Sequence, residues 1–355
     1  MAYSGTVGQT SVTVQSLIDA GARRCGKLAE ELTIEQVQTS KQSLFLLLSN
    51  LINEGVQYFA VKKIVFGLQP AQYQYTLPPG GNDVLNALYR TMTQPLGSYV
   101  SSAGGSTNSL ADSDVTTYCQ QQSANGTISV SYPSNQYIGS IGIMPYVAAG
   151  GAAVWNYTFQ SSIDNVTWIT LYTAVSQPVS DGQWIWQDID PSANVPYFRI
   201  VASGGTVLAL REWYLGINST EIMMARLNRD DYTNLPNKNF LANRPFQFWF
   251  NRTIPNATVN IWPAPSSAFF QMVVWYSSQV QDVGALNGNL AIPDRWLLAV
   301  QSMLAHQMSM ELPAVELARI QYLETQSEKY LHMAEMEERD RSPIYFSPNI
   351  GVYTR

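Results

Sequence analysis

Apolar residues recur at helical spacing near the beginning of the chain and again toward its end. In these stretches they return every three or four positions, as on the buried face of an amphipathic helix. Capping residues and prolines mark where such helices begin and end. The pattern predicts four helices: one from Val14 to about Gly26, one capped by Thr33 and running to Gly55, one beginning at Pro293, and one between Pro313 and about Arg339.

Elsewhere, β-branched and aromatic residues form short runs bounded by Gly, Pro, Asn and Asp. Several such runs in close succession are typical of a β-sandwich. In the middle of the chain they are Thr127–Tyr132, Ala153–Phe159, Trp168–Tyr172 and Tyr197–Val201. The flanks add a smaller β element, formed by Val56–Leu68, Tyr73–Leu77, Phe246–Phe250, Thr258–Trp262 and Phe269–Tyr276.

A change in charge separates the middle segment from its flanks. Residues 97–217 contain two basic and seven acidic residues, and therefore carry −5 of the chain's net charge of −6. We expect an α+β fold with three parts: a discontinuous helical domain with a small β element (1–96 and 218–341), an inserted antiparallel β-sandwich (97–217), and an extended C-terminal tail (342–355).

The tail combines prolines with apolar and aromatic side chains. Pro343 and Pro348 disfavour a helix, so the apolar residues cannot be buried on a helix face. Buried aromatics concentrate interface energy. We expect the tail to dock on a neighbouring protein ring through Ile344, Tyr345, Phe346 and Tyr353.

The search for catalytic residues points to a protein that is not an enzyme. The two histidines, His306 and His332, lie in predicted helices without further ligands at metal-binding spacing. No nucleophile elbow or phosphate-binding loop occurs. Asp188 and Asp190 would share one face of a strand, as a glycosidase pair requires, but a solvated strand edge is the preferred interpretation.

The cysteines, the absence of targeting signals and the net charge indicate the redox state, the compartment and the DNA-binding behaviour to expect. Cys25 and Cys119 are widely separated and are expected to be free thiols. The sequence predicts no secretion signal and no membrane-spanning helix, so we expect synthesis in the cytoplasm. A net charge of −6 provides no positively charged surface for specific DNA binding. It fits a protein that DNA passes without being bound.

The flanks resemble the head-to-tail adaptor (connector) proteins of short-tailed bacteriophages. The matching blocks follow the family's order over about two thirds of the chain. They are Ala22–Gly26, Ser43–Leu48, Tyr73–Pro78, Asn228–Tyr232, Leu235–Lys238, Arg244–Pro245, Ile261–Pro265 and Ile292–Trp296.

This resemblance implies a structural virion protein of the neck and tail. Such an adaptor forms a ring, expected here to have twelve subunits, between the portal protein and the tail nozzle protein, and it continues the DNA channel. Closed heterologous contacts make such a ring. The inserted sandwich would project outward, to attach a tail fibre or spike or to contact glycan.

The middle segment resembles the discoidin-like (coagulation factor 5/8 type C) β-sandwich, a jelly roll. Asp112-Ser113-Asp114 followed by Thr117 matches the family's opening loop, with Ser113 in place of glycine. The remaining matches are Ser162–Trp168, Tyr197–Ile200 and Leu208–Glu212.

The discoidin resemblance implies a structural calcium ion. The matching positions are Asp112, Asp114, Thr117 and Glu212, and calcium is bound by oxygen ligands of this kind. A second interpretation is equally open: the two aspartates cap a turn, and Glu212 pairs with Arg199 or Arg211.

Two other classes of function remain. One is a glycan-degrading enzyme that carries the sandwich as a carbohydrate-binding module, which should place perturbed carboxylates in a deep cleft. The other is a glycan-binding decoration protein that does not bind a portal.

Overall fold

The computed structural model describes residues 11–51, 58–148, 151–280 and 282–338, apart from the side chains of residues 58 and 190–193. It divides into two compact units. The helical unit comprises residues 1–61 and 277–355, and the β unit comprises residues 62–276.

Five α-helices occur in the described residues, four of them in the helical unit. Their bounds are α1 Val14–Cys25, α2 Ile34–Leu51, α3 Arg229–Thr233, α4 Asp294–Glu311 and α5 Leu317–Glu337. The four helices predicted from apolar spacing are therefore confirmed, although the predicted end of the second lies outside the described residues.

Capping explains why these helices begin and end where they do. The Thr13 hydroxyl accepts a hydrogen bond from the Ser16 N–H at the start of α1. Gly26 ends α1 in the left-handed region, with φ of 83°. Before α2, Thr33 and Gln36 bond each other's backbone N–H reciprocally, as in a capping box.

The core of the helical unit surrounds Trp296 on α4. This side chain is fully buried and packs with apolar residues of α1 and α2. These include Leu17, Ile18, Leu44 and Leu48, and the α4 residues Leu304 and Met308 belong to the same cluster. Cys25 lies in the same core and Cys119 in the sandwich, both as buried free thiols, as expected.

Sixteen β-strands occur in the described residues. They are β1 Val61–Gly67, β2 Gln74–Thr76, β3 Gly81–Thr93, β4 Ser98–Ser101, β5 Cys119–Gln120, β6 Thr127–Pro145, β7 Ala152–Ser162, β8 Ile169–Ser180, β9 Ile185–Ser203, β10 Ala209–Met223, β11 Ala225–Leu227, β12 Leu241–Ala242, β13 Gln247–Asn251, β14 Thr258–Trp262, β15 Ala264–Pro265 and β16 Gln271–Ser278.

Most strands belong to one large sheet with the order β1-β16-β3-β10-β6-β9-β7-β8. In addition, β4 pairs with β6, and β5 pairs with β10. A second sheet has the order β11-β13-β14-β2, and β12 pairs with β15. The strands from β4 to β10 enclose the sandwich core, in which Tyr157, Phe159, Phe198 and Trp213 are almost completely buried. The predicted α+β class with a large antiparallel sandwich is confirmed.

The β structure outside the sandwich is larger than the sequence predicts. The missed element is chiefly β3, a 13-residue strand. Its C-terminal part pairs with the end of β10, where Arg90 lies opposite Glu221. Because β10 also pairs with β6, the same strand continues past residue 217, the predicted end of the sandwich. The two compact units instead divide between residues 61 and 62 and between residues 276 and 277.

A buried ion-pair network lies where β3, β9 and β10 meet. The Arg90 side chain is only 5% exposed and contacts Asp188 at 2.7 Å and Glu221 at 2.6 Å. Lys63 also donates to Asp188. Burial favours a higher pKa for Asp188, but the hydrogen bonds from Arg90 and Lys63 outweigh it and hold the pKa below its usual value.

The interpretation of Asp188 as part of a solvated strand edge is wrong. Its side chain is only 25% exposed, because Arg90 and Lys63 both bind the carboxylate. Its carboxylate is committed to two cations and stays ionised, so it is unsuited to donate a proton as a glycosidase acid. The side chain of Asp190 lies outside the described residues.

Replacing Asp188 by Asn should destabilise the β unit by about 3 kcal/mol, because Arg90 would keep its buried charge with one partner fewer. The lowered pKa makes the Asp188 contribution present above about pH 4 and lost as pH falls further. Urea unfolding of the wild type and D188N at several pH values measures both effects. Equal unfolding free energies at pH 7 would contradict the prediction.

Candidate functional site

The opening loop of the sandwich is held together by its own side chains. Asp112 accepts hydrogen bonds from the Asp114 N–H and the Thr117 hydroxyl, each at 2.9 Å. Asp114 accepts from the backbone N–H and the hydroxyl of Thr116. Ser113 lies between the aspartates with φ of 61°, the region that favours glycine. The aspartates therefore stabilise a turn.

Glu212, the fourth residue of the expected calcium site, is buried on β10. It is 0% exposed, and neither carboxylate oxygen has a hydrogen-bond partner among the described residues. Burial, followed by the charge of nearby Asp112, raises the pKa of Glu212 to about 8. A buried carboxylate without partners must be neutral or balanced by a cation.

The expected partners of Glu212 are engaged elsewhere. Arg211 pairs with Asp181 through two hydrogen bonds, at 2.9 and 3.1 Å. Arg199 bonds Gln160 and stacks over Trp168 at 4.0 Å. Pairing of Glu212 with Arg199 or Arg211 is therefore excluded as an explanation of this residue.

One structural observation supports the calcium hypothesis, and a second does not. The orphaned carboxylate of Glu212, with Asp112 close by, suits an oxygen-seeking cation. Within the described ranges, however, no group of three or more His, Cys, Asp or Glu side chains is arranged to hold a metal ion. Calcium at Asp112, Asp114, Thr117 and Glu212 stays a prediction, with Glu212 and Asp112 the residues best suited to hold it.

A second cluster, on the surface of the same end of β10, escaped the sequence analysis. Tyr118 and Tyr146 stack face to face, with ring centroids 3.7 Å apart and planes 9° from parallel. The Arg211 guanidinium lies 5.1 Å from the Tyr146 ring. We call Tyr118, Tyr146, Arg211 and Asp181 the tyrosine platform.

The tyrosine platform is rigid because each supporting group has a fixed partner. Arg211 also donates to the Val115 carbonyl at 2.8 Å, and Asp181 accepts from the Val147 N–H. The register of β10 against β6 shifts between Leu210 and Glu212, so that Arg211 lies in an irregular part of the strand. Tyr118 remains 42% exposed.

Electrostatics agree with this arrangement. Hydrogen bonding to Arg211 holds the pKa of Asp181 below its usual value, so the pair is ionised at neutral pH. The hydrogen bond with the neighbouring Tyr118 hydroxyl raises the pKa of Tyr146, so the Tyr146 hydroxyl stays protonated at neutral pH. The platform therefore offers flat aromatic surface beside fixed donors and acceptors.

The remaining predicted site lies outside the described residues. Ile344, Tyr345, Phe346 and Tyr353 belong to the C-terminal tail, and its docking on a partner stays a prediction. In the part of the chain that is described, no helix has both the length and the hydrophobicity to cross a membrane.

Comparison with known proteins finds similarity over about a third of the chain. Neither a protein-family model nor a curated protein matches it. Solved structures do. A CBM32 module of a family 31 glycoside hydrolase from Clostridium perfringens matches with 19% identity and a TM-score of 0.30, covering 34% of this chain and 94% of that chain.

Two further structures give the same result. The family 32 module of NanJ from C. perfringens, in complex with galactose, has 12% identity, a TM-score of 0.30, and coverage of 35% of this chain and 93% of that chain. An F5/8 type C domain from Bacteroides fragilis has 12% identity, a TM-score of 0.31, and coverage of 36% and 95%.

These three solved structures are a CBM32 module, a family 32 module and an F5/8 type C domain. At such identities and TM-scores the likeness carries no argument about a ligand of this chain. It covers about a third of the chain, so the adaptor resemblance of the flanks stays a prediction.

Calcium binding should raise the melting temperature of the full-length protein, because an ion that binds only the folded state stabilises it. The gain is about 2.7 kcal/mol at a hundredfold excess over Kd. Replacing Glu212 by Gln keeps the shape of the side chain but removes its charge, so E212Q should melt at the same temperature with calcium and with chelator. Identical melting curves of the wild type with calcium and with chelator would contradict calcium binding. Turn capping would then be the remaining interpretation of Asp112 and Asp114.

Proposed function

We propose that the sandwich is a non-catalytic glycan-binding module and that the tyrosine platform is its binding site. The observation that carries this proposal is the stacked, partly exposed pair Tyr118–Tyr146, held in place by Arg211 and Asp181. The platform has an accessible ring and ionised groups within one small area.

The physical argument rests on the two kinds of surface that a sugar ring presents. One face of a pyranose exposes mainly C–H groups, which pack on the electron-rich face of an aromatic ring. Its hydroxyl groups need donors and acceptors at the rim, and the platform has carboxylate, guanidinium and phenol groups there. Because the platform is already rigid, little conformational entropy is lost on binding.

Replacing Tyr118 by Ala should weaken glycan binding about tenfold, equivalent to about 1.4 kcal/mol. Binding is measured by isothermal titration calorimetry against soluble glycans that first bind in an array screen. Galactose-terminated glycans enter the screen first, because the NanJ module is in complex with galactose.

The matched control is Tyr137, which is 64% exposed on β6 and belongs to no part of the platform. Y137A should bind as the wild type does. Equal affinities of Y118A and Y137A, or the absence of any bound glycan in the screen, would overturn the proposal.

The alternative of a glycan-degrading enzyme has less support. Such an enzyme needs one carboxyl group that is protonated and another that is ionised on either side of the bond. Asp188 and Asp181 are ionised and paired with arginine, and Glu212 is buried away from solvent. We therefore propose binding without hydrolysis.

For the helical unit we propose the role that its resemblance implies, a structural subunit of a phage head-to-tail adaptor ring. A specific observation favours assembly: several large apolar side chains of this unit are more than half exposed. They include Leu28, Ile34, Leu46, Met310, Leu317 and Met333. Exposed apolar side chains of this kind mark a protein interface where they form a contiguous patch. A free-standing decoration protein would leave it without a partner.

Mixing the chain with the portal protein of the same phage should yield a ring, with twelve subunits if it matches the portal. Class averages from electron microscopy, with and without portal, measure the symmetry. A monomer in isolation agrees with the proposal if the ring forms on the portal. A chain that stays monomeric with its portal, or that is absent from virions, would contradict it.

A further inference from the structure

Two clefts of opposite charge flank α5 in the helical unit. The first, which we call the basic cleft, has a volume of about 560 Å³ and is lined by Arg24, Arg319, Tyr322, Gln326 and Tyr330 among others. The second, the acidic cleft, has a volume of about 400 Å³ and lies among α2, α4 and α5. Its polar lining includes Ser43, His306, Glu311 and Glu328.

Among the described residues, the two arginines of the basic cleft have no carboxylate partner. Between described residues of the helical unit, the one ion pair joins Arg295 and Glu338. Arg24 donates to the Ser302 hydroxyl at 2.7 Å. Arg319 lies over Gly26, where a methyl group would come within 1.8 Å of its Nη1 atom. Both guanidinium groups are thus positioned by neutral neighbours and can still bind an anion.

The acidic cleft is complementary. Glu311 accepts a hydrogen bond from the Ser43 hydroxyl at 2.7 Å, and neither it nor Glu328 forms a salt bridge with a described cation. The Nδ1 atom of His306 is buried there without a partner among the described residues. The floor of this cleft is therefore polar and available to a cationic group.

The geometry of α5 places the clefts on different flanks of one helix. Successive residues turn by about 100°, so Arg319, Gln326 and Tyr330 lie on one flank. Ser327 and Leu331 lie on another, roughly a third of a turn away. Each cleft is also lined by a large exposed apolar side chain, Tyr322 of α5 at 62% in the basic cleft and Leu46 of α2 at 57% in the acidic cleft.

We infer that the basic cleft of one subunit binds the acidic cleft of a second copy of this chain, with Arg319 pairing with Glu328. Charge complementarity within a single chain selects the second copy as the partner. Since the two surfaces differ, the contact is heterologous and repeats from copy to copy, as ring closure requires. Arginine and tyrosine are enriched in such interfaces.

Nucleic acid is a poorer match for the basic cleft. Two arginines neutralise few phosphates, and the chain as a whole carries −6. A carboxylate on the surface of a folded protein can be bound by the guanidinium group of a single arginine. The inference deepens the proposed ring by naming its subunit contact, and it rests on that ring being formed.

A charge exchange tests the contact directly. The variants are R319E, E328R and the double variant R319E/E328R, each examined by sedimentation velocity and by class averages with the portal. Each single variant should weaken subunit association at least tenfold, since it places like charges opposite each other. The double variant should recover association, because the pair is restored with reversed sign.

Two control variants change the same charges outside the clefts. Arg23 neighbours Arg24 on α1 and Glu35 lies in the first turn of α2, and neither lines a cleft. R23E and E35R should assemble as the wild type does. Thermal unfolding confirms that each variant is folded before its assembly is compared.

The outcomes separate this inference from the proposed ring. If both single variants form rings like the wild type, or if the double variant fails to recover, this contact is wrong while the ring stands. If the wild type forms no ring even with the portal, the adaptor proposal fails and this inference with it. If R319E binds DNA less well than the wild type in a mobility-shift assay but assembles normally, the basic cleft serves nucleic acid instead.

Discussion

Hydrogen bonding along β10 is the constraint on which the β unit depends. Its first part pairs with β6 in the sandwich, and its last part pairs with β3 outside it. Because strand register fixes which face each side chain occupies, both regions are aligned by the same strand. Arg90, opposite Glu221 in this ladder and bonded to Asp188 of β9, then ties three strands together at the junction.

The same strand also produces both features of the candidate site. Arg211 and Glu212 are neighbours in sequence, and successive residues of a strand point to opposite faces. Arg211 supports the stacked tyrosines at the surface, whereas Glu212 enters the interior. One residue therefore prepares a binding surface, while the next leaves a buried acid whose charge must be suppressed or balanced.

Local signals explain how much of the fold was predictable. The helices carry apolar stripes, a glycine at the end of α1 and a capping box before α2, and all of these are written in neighbouring residues. The strand β3 has no such bounded pattern, and its residues become a strand because β10 and β16 lie beside it. Asp188 was misjudged for a related reason: its sequence neighbours do not reveal that Arg90 and Lys63, about 100 residues or more away in the chain, bind its carboxylate.

The sequence by itself determined the class of fold, the helices and the β-sandwich, because these follow from composition and short-range periodicity. Resemblance also pointed to Glu212, but not to its isolation. Only the tertiary structure decided that Tyr118 meets Tyr146, that Arg211 pairs with Asp181, and that Arg319 and Glu328 lie in separate clefts. Such pairs are distant in the chain or turned apart on a helix, and they come into position only when the strands and helices pack.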